Sequence, residues 1–132
     1  MSLALDTIPV KRRRNGNAEA VIQASIFEYI RTCAPQVLVC HIPNGGWRYK
    51  RESARLKWQG VVAGIPDLLI VGPNGIAHFI EVKTKSGTLS KEQRAIFERM
   101  FDLSCPHTVA RSIDDVRDAL AVWGIETRET RT

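Results

Sequence analysis

Two short apolar runs, one on each side of a Gly72-Pro73-Asn74-Gly75 turn, constrain this chain more than any other stretch. Gly64-Ile65-Pro66-Asp67-Leu68-Leu69-Ile70-Val71 and Ile76-Ala77-His78-Phe79-Ile80-Glu81-Val82-Lys83 read as the arms of a β-hairpin. Their ends carry charges that a buried strand ordinarily avoids: Asp67 opens the first run, and Glu81 and Lys83 close the second. Side chains alternate across a strand, so Glu81 and Lys83 share one face while Ile80 and Val82 share the other. With Asp67 beside them, two carboxylates and an ammonium meet at the end of a small apolar sheet. Burying such charge is costly without compensation. A hard divalent cation, Mg²⁺ or Mn²⁺, is the compensation that carboxylate oxygens suit.

The 132 residues amount to one domain by length, and charged and apolar shares of 25% and 44% fit a packed core with a soluble surface. No run is long enough to span a bilayer, and Met1 to Val10 lacks a secretory pattern, so the expectation is a cytoplasmic protein with no membrane partner. Cys33, Cys40 and Cys105 have no C-x-x-C spacing and read as reduced thiols. A net charge of +5 favours an anionic partner, although where the charge lies says more than its total.

Taken in order, residues 1–16 read as a flexible arm ending in the basic run Lys11-Arg12-Arg13-Arg14, which solvent or phosphates would surround. Asn17 is placed to cap a helix running to about Thr32, ahead of Pro35. Its apolar stripe is Ile22, Ile26, Phe27 and Ile30, and at 100° per residue Glu19 and Gln23 fall on that stripe. A favourable helix dipole explains a carboxylate in a first turn but not its place on the core side. Glu19 is therefore read as functional. Val37 to Ile42 reads as a buried strand, ended by Pro43-Asn44-Gly45-Gly46. Aromatic and basic residues then interleave in Trp47-Arg48-Tyr49-Lys50-Arg51, the pattern of a nucleic-acid contact. Arg55, Lys57 and Trp58 follow on a short helix, with Trp58 expected to cover the core. The glycines between Gln59 and Gly64 would let backbone approach a phosphate or metal.

After Lys83 comes a loop with Lys85, and Ser90-Lys91-Glu92-Gln93 matches a capping box. Gln93 also shares the stripe of Ile96, Phe97 and Met100, so it serves the cap or faces the site, and the two readings stay open. Thr108 to Ala110 reads as a last strand. Ser112 and Asp115 open a helix with the core stripe Ile113, Val116, Leu120 and Trp123, which Gly124 stops, leaving residues 124–132 as a loose tail. His41, His78 and His107 lack paired spacing and read as structural.

Pro66-Asp67, a spacer and Glu81-Val82-Lys83 resemble the PD-(D/E)xK nuclease motif. More of the chain resembles one branch of it, the VRR-NUC family: Glu19 in the first helix, Pro43-Asn44, Gly64-Ile65-Pro66-Asp67-Leu68, Glu81-x-Lys83, and Gly87-Thr88-Leu89-Ser90 leading to Gln93. The resemblance covers residues 17–123 and implies an α/β fold, a restriction-endonuclease-like α/β/α core with a small mixed sheet flanked by helices. It implies Asp67, Glu81 and the Val82 backbone carbonyl as ligands of Mg²⁺ or Mn²⁺, Glu19 at a second ion, Lys83 on the attacking water and Gln93 in support. Asn44, Arg48, Lys50, Arg51, Lys85 and the arm residues Lys11, Arg12, Arg13 and Arg14 are the candidates for DNA contact. Stand-alone members resembling this chain imply a homodimer acting on branched DNA such as Holliday junctions, in a bacterial or phage-infected cell. The alternatives are a non-catalytic DNA-binding module, a nuclease of linear duplex ends, and a hydrolase of RNA.

Overall fold

Alternation of apolar residues at strand spacing, flanked by helical stripes, builds a four-stranded mixed sheet between helices. The computed structural model describes residues 10–43 and 52–129, with side chains from Asn17 onward. Asn44, Arg48, Lys50 and Arg51 lie outside the described residues, as do the side chains of Lys11, Arg12, Arg13 and Arg14. The elements are α1 (Val10–Cys33), β1 (Leu38–His41), α2 (Ser53–Trp58), β2 (Leu68–Val71), β3 (Ala77–Val82), α3 (Lys91–Asp102), β4 (His107–Ala110) and α4 (Ile113–Val122).

The strands lie in the order β1-β2-β3-β4. The expected hairpin is present: β2 and β3 pair antiparallel, with Leu68 opposite Ile80, and Gly75 at φ 74° closes the turn. β1 adds antiparallel to β2, and β4 adds parallel to β3 after the α3 crossover. Leu68, Ile70, Ile80, Val82 and Ala110 form one face of this sheet. They pack with Ile26 and Ile30 of α1 and Val116 and Leu120 of α4 in one apolar core. On the other face lies α3, whose Phe97 meets the His107 ring edge-on at 4.7 Å. Each fully buried aliphatic side chain in this core contributes about 1.5–3 kcal/mol, which is why a short sheet suffices.

Four expectations are corrected. First, α1 begins at Val10 and not at Asn17, so the backbone of the basic run is helical. Lys and Arg are good helix formers, and Gly16 inside the helix costs only about 1 kcal/mol. Second, β1 is an edge strand with Leu38 64% exposed, where a buried strand was expected. β-branching marks a strand but not its place in the sheet. Third, Trp58 is 86% exposed and covers no core, because no residue of α2 is buried. Fourth, the tail is docked as far as Glu129. Ile125 enters the core, Arg128 N donates to Cys33 O (2.7 Å), Gln36 Nε2 donates to Glu126 O (2.8 Å), and Arg117 pairs with Glu129.

Candidate active site

Asp67 stands just before β2, and the register that sets Leu68 against Ile80 puts it opposite Glu81. Its backbone is held by β1, since the Asp67 carbonyl accepts from Ile42 N (2.7 Å) and His41 Nδ1 (2.8 Å). A carbonyl only accepts, so His41 carries a proton on Nδ1. The Asp67 side chain is held by β3, where Oδ2 accepts from Val82 N at 2.8 Å. Pairing across the hairpin and one backbone hydrogen bond thus fix this carboxylate at the sheet end.

Glu81 is 1% exposed, an ionisable side chain in a place that normally takes an apolar one. Its Oε2 accepts from Gln93 Nε2 at 2.9 Å and lies 3.4 Å from Lys83 Nζ. Its Oε1 is buried with no hydrogen-bond partner. Burial first, then the neighbouring Asp67 charge, push the Glu81 carboxyl up to about 8, with Lys83 working the other way. Glu19 reaches the same place from α1, and burial raises its carboxyl too, opposed by Lys83 and reinforced by Asp67. One oxygen from each of Glu19, Asp67 and Glu81 lies within 4.8 Å of the others. Three carboxylates around an unsatisfied buried oxygen fit a hard cation with oxygen ligands. They line a cleft of about 610 Å³ together with His41, Lys57, Gly64 and Gln93.

Gln93 resolves its two open readings by serving both. Its Oε1 accepts from Ser90 N (2.8 Å) to complete the capping box, while Nε2 reaches Glu81. An amide carries an acceptor and donors on separate atoms, so a cap and a site contact do not compete. Gly64 lines the cleft and also has a packing role. At φ 91° it lies against the start of α3, where a Cβ would stand 2.4 Å from Glu92 O. The glycine therefore lets the loop before Asp67 seat on α3 itself.

Lys83 follows β3, its side chain only 12% exposed and its backbone N–H on Ala110 O (3.0 Å). Sequence reading missed what holds the next loop. The Arg111 guanidinium donates through one nitrogen to Thr84 O (2.6 Å), Gly87 O (2.7 Å) and Lys85 O (3.4 Å). That loop folds back on Lys83, since a Cβ on Gly87 would stand 3.5 Å from Lys83 Cδ. Arg111 thus clasps the segment joining Lys83 to the start of α3 and Gln93. Lys85 itself is exposed. His41, read as structural, holds the Asp67 backbone and also lines the cleft. His78 is buried against Trp123, ring centroids 4.8 Å apart.

Comparison with known proteins bears on the fold and the family. The profile of the VRR-NUC domain matches residues 13–114. A solved VRR_NUC domain superposes with a TM-score of 0.58 at 23% identity, covering 79% of this chain and 95% of that one. A second solved structure, a VRR_NUC domain protein, has a TM-score of 0.65 at 21% identity and covers 83% of this chain and 90% of that one. No curated protein matches the chain.

Proposed function

This chain belongs to the VRR-NUC domain family, and from that premise we propose that it is a DNA endonuclease dependent on Mg²⁺ or Mn²⁺. The observation that carries the proposal is the carboxylate cluster of Glu19, Asp67 and Glu81 around a buried, unpartnered oxygen. Asp67, Glu81 and Glu19, with the Val82 carbonyl, are the oxygens that would hold the ion. When bound, the cation supplies Lewis acidity toward a phosphate and lowers the pKa of a neighbouring water.

The chain's own residues do the rest. Gln93 Nε2 fixes one Glu81 oxygen and leaves the other for a ligand. Val82 N holds Asp67 in the rotamer that faces Glu81 across the hairpin. Lys83, an ammonium beside Glu81, donates hydrogen bonds to the attacking water and to the scissile phosphate, where negative charge grows in the transition state. Lys57 in the cleft wall attracts the DNA backbone. Arg48, Lys50, Arg51, Asn44, Lys85 and the Lys11 to Arg14 run are the further phosphate contacts we assign.

Branched DNA, Holliday junctions in particular, is the substrate we favour, on the likeness to stand-alone members of the family. Paired cuts in a junction need two sites at a set distance, hence a symmetric homodimer. Among the described residues no helix is long and apolar enough to cross a membrane, and we place the protein in the cytoplasm. A panel of labelled linear duplex, flap, splayed-arm and four-way-junction DNA, incubated with Mg²⁺ and with Mn²⁺, tests the reading. Preferred cutting of the junction is the expected result. Preferred cutting of linear ends would replace the junction assignment, and binding without cutting under both metals would leave a DNA-binding module.

A further inference from the structure

Resting on that reading, we propose that Trp58 is a stacking platform for an unpaired nucleobase next to the scissile phosphate, and so a determinant of which DNA structures are cut. The indole is 86% exposed, the most exposed of the large hydrophobic side chains described. Isolated apolar residues on a surface are ordinary, but the surroundings of this one are not. Lys57, the preceding residue, lines the carboxylate cleft, and after the turn at Gly60 (φ 103°) Ala63, Gly64 and Ile65 line it again. The end of α2 and the chain leading to Asp67 therefore make one rim of the cleft, and Trp58, itself outside the cleft lining, falls in sequence between those two lining segments.

Neighbouring charge identifies the partner. Arg55 and Lys57 are the charged residues in the last turn of α2, and both are cationic. Arg55 stays 70% exposed in its loose pairing with Glu52. A flat apolar ring at the end of a helix turn that carries two cations, next in sequence to a residue of the carboxylate cleft, matches a nucleotide strand: cations meet the backbone and the ring meets a base face. A second protein surface would have to bring acids of its own to meet Lys57 and Arg55 as they are desolvated, whereas a nucleotide strand carries its anions in every unit. A duplex hides its base faces in the stack. Only unpaired or splayed nucleotides present one, so the ring discriminates by structure and tolerates any sequence.

The test reads binding without catalysis, in EDTA, using a short oligothymidylate, a linear duplex and a splayed-arm duplex. Stacking on an indole predicts that oligothymidylate quenches the tryptophan emission of the native protein and that Trp58→Phe removes most of the quench. Trp58→Ala should weaken splayed-arm binding by about 5- to 150-fold, with a smaller loss on the linear duplex. Trp58→Phe should recover most of that affinity, since a phenyl ring still stacks. Equal losses on both DNAs, or an unaltered quench in Trp58→Phe, would overturn the proposal. So would conversion of a dimer to a monomer by Trp58→Ala in sedimentation with selectivity retained, which would make the ring an interface between copies. Failure of the nuclease reading is separable, because a protein that cuts no DNA with either metal still reports stacking in these measurements.

Discussion

Adjacent residues of β3 live in opposite environments. Ile80 and Val82 lie in an apolar core built from α1, α4 and their own sheet, where shape and oil-like burial decide everything. Glu81, between them, is just as hidden, yet it sits among Asp67, Lys83, Glu19 and Gln93 with one oxygen unsatisfied. The first face is closed by the chain's own apolar packing. The second is not, and an incomplete buried polar group is destabilising unless a ligand completes it. Stability thus resides on one side of the strand and reactivity on the other, at a separation of one residue.

The sharpest way to break this contrast is on the polar face. Glu81→Ala or Lys83→Ala should lower turnover with Mg²⁺ by at least about 100-fold, with the circular dichroism spectrum and DNA affinity largely kept. Native-like turnover in both variants would dissolve the site. The mirror substitution, Ile80→Ala, should cost about 2–5 kcal/mol in urea unfolding while specific activity per folded molecule is retained. Should it remove activity without lowering stability, the two faces are not separate.

A smaller effect belongs to Arg111, whose guanidinium acts through the carbonyls of the Thr84 to Gly87 loop. Arg111→Ala should lower kcat about tenfold, within the range of one lost positioning contact, with little change in KM. Added guanidinium should restore part of it. Unchanged kcat, or a loss that guanidinium leaves in place, would reduce Arg111 to a surface residue.

The smallest effect is a pH dependence of the metal-free protein. Glu81 binds its proton up to about pH 8 when folded, against 4.5 ordinarily, and Glu19 is shifted the same way. Between those values the folded state holds more protons than the unfolded one, so stability is highest at the acid end and declines as pH rises toward 8. Melting temperature should follow that slope. Glu81→Gln should flatten it, and so should a bound divalent cation, which takes the proton's place and releases it. A metal-free protein that gains stability from pH 5 to 8 would contradict the burial of an uncompensated carboxylate.

Much of the fold was legible because its signals are local. The Gly72 to Gly75 turn announced the hairpin, the Ser90 to Gln93 spacing announced the capping box, and the helical period put Glu19 on the inward side of α1. The basic run misled, since charge repulsion suggested an arm where helix propensity carries α1 back to Val10. Leu38, Trp58 and the tail misled for a different reason. Whether an apolar residue is covered depends on what comes to lie beside it, and Ile125 is covered where Trp58 is not.

By itself the sequence determined which side chains share a face, because strand and helix periods follow from backbone stereochemistry. It thereby placed Glu81 with Lys83 and put Glu19 on the inward stripe of its helix, while the grouping of these with Asp67 came from the family resemblance. Only the tertiary structure decided what each of them meets. Gln93 divides its amide between a cap and Glu81, and Arg111 reaches carbonyls more than twenty residues away. Such partners are chosen by chain closure over long separations, for which no local pattern exists; burial and pairing then set the chemistry of each group.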